Sequence, residues 1–282
     1  MLKRTDLAIE SAYNSTHHIY KRKKEQKCKL FSEIFFTKVE NEAQKKETGL
    51  EIGEYITVSF EDLLKIDGYE EIEEDIIESL EKILPEKREN ILVVGLGNEE
   101  ITSDAIGPLV AKKILATRHI EKDFAEQIGL KGIKSVSVIA PNVLGKTGME
   151  TAEIIKGITE KIKPDCIIAI DALLAGSITR LFKTIQICNT GISPGSGVKN
   201  RRKEISEKTV GIPVIAIGVP TVVDAVSLSE ELSGKEAVFE TDLIVTPKDS
   251  DLLCHRISEI IATALNVSLQ PEIEKDLLLS LV

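Results

Sequence analysis

Apolar residues at Ile72, Ile76, Ile77, Leu80, Ile83 and Leu84 recur every three or four positions, with acidic residues between them. This spacing predicts an amphipathic helix over 69–84, stopped at Pro85. Residues 55–60, Tyr-Ile-Thr-Val-Ser-Phe, are β-branched and aromatic and predict a strand. Residues 30–39, which include Phe31, Ile34, Phe35 and Phe36, predict another, placed to pair with the first as a hairpin across 49–53. From Asn90 onward, short apolar runs at 91–94, 136–139, 166–170, 184–187, 214–217 and 243–245 alternate with helical patterns near 105–116, 149–162, 222–232 and 250–265. Strands without a polar face, interleaved with helices, imply a mostly parallel central sheet with helices on both faces. The expected class is α/β with an N-terminal β-rich addition at about 28–62. The run 166–170 is expected to end on Asp171, and 214–217 to end in a Gly-Val-Pro-Thr turn.

Composition narrows the function classes. The chain has 282 residues, 46 acidic against 36 basic, for a net charge of −10. That balance argues against a general nucleic-acid binder, which needs a basic footprint. Trp is absent and aromatic content is 4%, so stacking platforms for single strands are not expected either. The longest apolar runs fall far short of the ~18 residues of a membrane span, and no apolar segment follows Met1–Asp6 as a secretory signal would require. Cys28, Cys166, Cys188 and Cys254 are widely spaced, as free thiols in a reducing, cytoplasmic compartment would be. His17, His18, His119 and His255 match no zinc-binding spacing. The basic run Lys21-Arg22-Lys23-Lys24 reads as a solvated face or a partner site.

Ligands of open α/β sheets bind at the carboxyl ends of strands. Asp171 follows the run 166–170, and Asp104 lies in the turn region after 91–94. If those strands are neighbours, the two carboxylates meet, one proton is shared, and the pair can activate water and protonate a leaving amine. Asp104 reads equally as the N-cap of the helix beginning at Ala105. Glu99 and Glu100 are reserve candidates. Gly95-x-Gly97 suggests a dinucleotide turn, but Glu100 stands where the third glycine belongs and would repel a pyrophosphate. The segment Gly191 to Gly197, with Gly195 and Ser196, reads as a flexible loop or as an amide nest for a peptide carbonyl or oxyanion.

Several segments carry a resemblance. Gly95-Leu96-Gly97-Asn98, Ser103-Asp104-Ala105-Ile106-Gly107-Pro108, Ala169-Ile170-Asp171-Ala172-Leu173, the stretch 189–198 and the long block 211–225 closely resemble the germination proteases of spore-forming bacteria. The resemblance implies a fold like that of hydrogenase-maturation peptidases. It also implies an endopeptidase of the spore core that starts degradation of small acid-soluble spore proteins. Such an enzyme is made as a self-processing zymogen, assembles as a homotetramer, and uses Asp104 and Asp171 as a paired-aspartate site without a cofactor. Thr5-Asp6-Leu7-Ala8-Ile9-Glu10 is similar to the family's processing site, which places cleavage between Asp6 and Leu7. Residues 1–6 are then a pro-segment and 7–282 a single peptidase domain. The cleaved bond is expected in a polar, mobile terminal setting. A metal-dependent peptidase and a non-catalytic nucleotide- or peptide-binding module on the same sheet are the competing readings.

Overall fold

The computed structural model describes residues 5–13, 20–23, 32–66, 68–195, 202–235 and 242–281. Cys28, His17, His18, Lys24, Ser196, Gly197 and residues 1–4 of the expected pro-segment lie outside the described residues, as do the side chains of residues 20–23.

The strands are β1 (Tyr20–Lys23), β2 (Glu33–Val39), β3 (Gly53–Ser59), β4 (Asn90–Gly95), β5 (Ser135–Ile139), β6 (Cys166–Ala175), β7 (Thr184–Cys188), β8 (Val214–Asp224) and β9 (Ile244–Val245). Between and around them run α1 (Ala8–Tyr13), α2 (Glu42–Thr48), α3 (Glu70–Ile83), α4 (Ile106–Ala111), α5 (Lys122–Gln127), α6 (Leu144–Thr147), α7 (Thr151–Ile162), α8 (Glu207–Val210), α9 (Ala225–Ser233), α10 (Ser250–Leu269) and α11 (Lys275–Ser280). One sheet runs β1-β2-β3-β7-β8-β6-β4-β5, and β9 adds to the far end of β8. The pairings β5-β4, β4-β6 and β6-β8 are parallel. Those from β8 through β7 and β3 to β2 and β1 are antiparallel. The expected parallel centre and N-terminal β-rich addition are therefore both present. The addition continues the central sheet, because β3 pairs with β7 from Tyr55↔Cys188 to Ser59↔Thr184. The hairpin forms as Glu33↔Ser59 through Val39↔Gly53, with α2 inserted in its connection.

Alternation along the central strands divides the core. Ile91, Val93, Ile168, Ile170, Ile215 and Ile217 face α3, α4 and α10. Leu92, Val94, Ile167, Ala169 and Val214 face α7 and α8 through Ala152, Ile155 and Val210. Both faces are covered, so the strands need no polar side. Helix α10 has the length and apolarity of a membrane-crossing helix, yet 67% of its most apolar window is buried within the fold. Buried free Cys166, Cys188 and Cys254 belong to this interior.

Three local expectations are corrected. β6 does not end at Asp171 but continues to Ala175, since Ala-Leu-Leu-Ala supplies more strand-compatible residues. β8 likewise runs through Gly-Val-Pro-Thr to Asp224. Pro220 has no N–H for the ladder, and the register shifts there, from Leu173↔Pro220 to Leu174↔Val222, so that Thr221 bulges out. Helix α4 is short: after Ala111 the chain tightens into bonds from Lys113 N to Val110 O and from Ile114 N to Ala111 O.

Candidate active site

Asp171 sits sixth in the ten residues of β6, on the same side as Ala169 and hence away from α10. Its neighbour across β8 is Gly218, whose neighbour across β7 is Gln186. Asp171, Gly218 and Gln186 thus form one row on one face of the sheet. Asp104 approaches from the turn after β4. That turn is well tied: Leu96 N donates to Ile170 O (2.8 Å), Asn98 N to Asp104 O (3.0 Å) and Thr221 Oγ1 to Ser103 O (2.6 Å). Asp104 is the last residue of a 3₁₀ turn, Thr102–Asp104, and α4 begins at Ile106 with Ala105 at its cap position. The capping reading of Asp104 is therefore not realised.

Gly95 and Gly107 bring this turn close to the sheet. A Cβ on Gly107 would lie 2.1 Å from Leu96 O and 2.5 Å from Ile170 O, and one on Gly95 would lie 2.2 Å from Gly107 O. Gly97 has φ 109°, and a Cβ there would meet Asp104 O at 2.1 Å. The glycines suggestive of a dinucleotide turn serve helix-to-sheet contact instead.

The two aspartates line one cleft of about 170 Å³, together with Asp6, Ser103, Leu174, Ser193, Gly195 and Thr221. Burial pushes the Asp171 carboxyl well above the ordinary carboxylate range, and the neighbouring Asp104 charge pushes it further. Asp104 is also raised by burial, and the Asn98 amide and the Arg202 guanidinium pull it back. Within β6, Ala172 N donates to Asp171 Oδ1 at 2.9 Å. Both carboxyls are therefore shifted toward their protonated forms, Asp171 the more strongly. Glu99 and Glu100 are exposed and reach Lys112 and Lys146, both at 2.5 Å, so the reserve candidates face solvent.

The chain's own N-terminal segment lies across this site. Asp6 N donates to Leu174 O (2.9 Å), and Leu174 N donates to Asp6 Oδ2 (2.9 Å). Gly176 N donates to Glu10 Oε2 (2.7 Å), which also accepts from Thr5 Oγ1. Gln186 Nε2 donates to Asp6 O (3.2 Å), and Ala8 N donates to Gln186 Oε1 (2.6 Å). Leu7, Ala8 and Ile9 are fully buried. The expected mobile setting of the Asp6-Leu7 bond is corrected: the bond is anchored on both sides within the fold. A second cleft of about 730 Å³ shares Asp6, Leu173 and Ser193 with the first and extends past Gly218 and Gln186 to Gly191, Glu51 and Lys46.

Gly191 (φ 83°) lies at a close approach, since a Cβ would meet Ile205 O at 2.3 Å. It opens the bridge in which Ile192 and Ile205 exchange N–H···O bonds of 2.9 and 2.8 Å. Gly195 borders the smaller cleft. Sequence reasoning missed Arg202, Gln186 and Leu174. Arg202 had a signal, being part of the basic triplet Arg201-Arg202-Lys203 beside the Gly191–Gly197 stretch. Among the described residues, no group of three or more His, Cys, Asp and Glu side chains is placed to hold a metal ion.

The family model described as germination protease matches residues 4–233. Curated proteins named germination protease are similar over most of their lengths. The one from Caldanaerobacter subterraneus subsp. tengcongensis is 40% identical, covering 95% of this chain and 94% of its own. That from Clostridium perfringens strain SM101 is 40% identical, covering 95% of each chain. The one from Clostridium tetani is 41% identical, covering 97% of each. Among solved structures, the NiFe hydrogenase maturation protease HycI from Thermococcus kodakarensis KOD1 aligns over 66% of this chain and 98% of its own, at 19% identity and a TM-score of 0.38.

Proposed function

Given that this chain belongs to the germination protease family, we propose that it is an aspartic-type endopeptidase that opens small acid-soluble spore proteins to degradation at germination, and that it first cuts its own Asp6-Leu7 bond. The observation that carries this reading is the convergence of Asp104, Asp171 and Asp6 on one cleft, with the Asp6-Leu7 bond fixed beside it.

The more deeply buried Asp171, raised most, keeps the shared proton. Asp104, with Arg202 and the Asn98 amide beside it, is the ionised partner. Asp104 takes a proton from water as the water oxygen bonds to the carbonyl carbon of Asp6. Asp171 gives its proton as the carbon–nitrogen bond breaks, and the Leu7 nitrogen leaves as an amine. Until then, Thr5 and Asp6 occupy ground that a substrate peptide needs, which makes the uncut chain a zymogen. The same reading takes the active species to be a homotetramer in the spore core. Light scattering that finds a stable 31.0 kDa species at micromolar concentration counts against that assembly.

The test is incubation of the purified chain alone and with a spore-protein peptide, with and without a chelator, beside Asp104→Asn. The expected result is a new N-terminus at Leu7 and peptide cleavage in the parent, neither in Asp104→Asn, and no effect of chelator. Inhibition by chelator favours the metal-dependent alternative. Normal processing of purified Asp104→Asn sinks the paired-aspartate reading.

A further inference from the structure

We propose that Gln186 is a third catalytic residue, whose side-chain amide grips the main chain on both sides of the cleaved bond and polarises the carbonyl that water attacks. The proposal rests on the reading that Asp6-Leu7 is cut at Asp104 and Asp171, and it adds the group that faces them across the peptide.

The geometry is specific to backbone. Gln186 Nε2 donates to the Asp6 carbonyl oxygen, and Gln186 Oε1 accepts from Ala8 N. Those are the two main-chain groups that flank Leu7. Their opposite polarity fixes which way the amide points, because an N–H must meet the carbonyl and an oxygen must meet the N–H. Neither bond involves a side chain of the segment, so any peptide laid in the same place would be held in the same way. Gln186 is itself 7% exposed, and a buried side-chain amide is costly unless both ends are partnered. Here one partner, the Asp6 carbonyl, leaves with the segment that the proposed reaction removes, while Ala8 N stays with the matured chain.

The sheet register places this grip opposite the dyad. Gln186 and Asp171 flank Gly218 in one cross-strand row, two strand spacings or about 10 Å apart. Gly218 contributes no side chain between them, and the Leu173 side chain lies over it, since a Cβ there would meet Leu173 Cδ1 at 2.3 Å. Asp6, whose carbonyl oxygen meets the Gln186 amide, also lines the cleft that holds Asp104 and Asp171. As the water oxygen bonds to the carbon, the carbonyl π pair moves onto oxygen. A donor already aimed at that oxygen then gains most as the charge grows. The ground-state bond of 3.2 Å is long for N–H···O, which leaves room for it to tighten.

The experiment uses the full chain. It follows self-cleavage at Asp6-Leu7 and, with the matured protein, kcat and KM on a peptide of residues 1–12. Gln186→Met keeps the size and removes both hydrogen-bonding ends. Gln186→Glu keeps the acceptor for Ala8 and can donate to the carbonyl only when protonated. Loss of one oxyanion donor lowers kcat by roughly 10²-fold. Gln186→Met is expected to show that loss with KM little changed. Gln186→Glu is expected to regain activity at acidic pH and lose it as the new carboxyl ionises, a limb absent from the parent's pH profile. A folded Gln186→Met with parental kcat overturns the proposal, as does a Gln186→Glu profile that coincides with the parent's. The second comparison decides the matter if Gln186→Met does not fold. Asp104→Asn is run in parallel. If it cleaves normally the dyad reading fails, whereas blocked Asp104→Asn beside fully active Gln186→Met removes only the role of Gln186.

Discussion

Two aspartates six residues apart, one just before β6 and one in its middle, have opposite character. Asp165, just before the strand, meets Lys87 Nζ at 2.7 Å and accepts from Glu89 N and Asn90 N at 2.9 and 3.0 Å. Its carboxyl is held below the ordinary range, chiefly by the Lys87 hydrogen bond. Asp171, six residues on, is 4% exposed, faces a second carboxylate and is raised by burial. The first is placed for stability: its charge is partnered and its cost small. The second is destabilising as a charge, and such a group persists where chemistry uses its proton. Parallel strands explain why the difference falls this way round. Asp165 lies at the amino end of β6, whereas Asp171 lies just past the carboxyl end of its neighbour β4, whose last pair is Gly95↔Ile170 and whose following turn carries Asp104.

The largest expected effect is on catalysis. Asp104→Asn and Asp171→Asn should each lower cleavage by ~10²–10⁴-fold with the fold retained, while Asp165→Asn leaves turnover unchanged. Peptide kinetics on the three variants check this, and near-parental turnover in either dyad variant breaks the contrast.

The next effect is on the close approach that brings Asp104 to β6. Gly107→Ala would put a Cβ against backbone oxygens that cannot move aside, and should cost at least roughly 1–3 kcal/mol. Urea denaturation measures it. An unchanged midpoint would mean that the turn carrying Asp104 is looser than the contact distances indicate.

Stability against pH should separate the two aspartates by sign. A raised Asp171 carboxyl means that the folded chain keeps a proton the unfolded chain has lost. Its contribution therefore falls as pH rises from the ordinary carboxylate range toward the raised folded value. Asp171→Asn should thus melt higher than the parent at neutral pH, with the advantage disappearing in acid. The lowered Asp165 carboxyl works the other way, adding stability at neutral pH that is lost as pH falls through its folded value. Asp165→Asn should melt slightly lower at neutral pH and converge with the parent in acid. Melting curves from acid to neutral pH test the pair, and shifts of the same sign would overturn the assignment.

The smallest effect is expected at the reserve acids. Glu100 and Lys146 form an ion pair that is open to solvent on both sides. Glu100→Gln should change stability by less than about 1 kcal/mol and leave cleavage at the parental rate. A loss of cleavage there would move the chemistry away from Asp171.

Periodicity and residue type were enough to locate β4, β6 and β8, the helices that cover them, and an aspartate beside each of two apolar runs; that β4 and β6 are neighbours came from the sheet pairing. These are local properties: an apolar run or a three-four spacing is written in consecutive residues. Asp104 and Asp171 stood out because acidic residues beside buried strands are exceptions to the pattern.

Other features depended on residues far apart in the chain. The extension of β6 and β8 past Asp171 and Gly218 follows from their pairing with each other, and Pro220 in isolation reads as a turn. Residues 5–9 look like a polar terminus, yet Leu7, Ala8 and Ile9 are buried because β2, β3 and the end of β6 provide a seat for them. Gln186 lies in an apolar strand and has no motif. It is 180 residues from the carbonyl it holds, and only the β7-β8-β6 register sets it in a row with Asp171. The sequence determined which elements form and where unusual charges lie, because both are local choices. The tertiary structure alone decided which backbone groups those charges and that amide meet, because register and docking are fixed by the summed burial of the whole sheet.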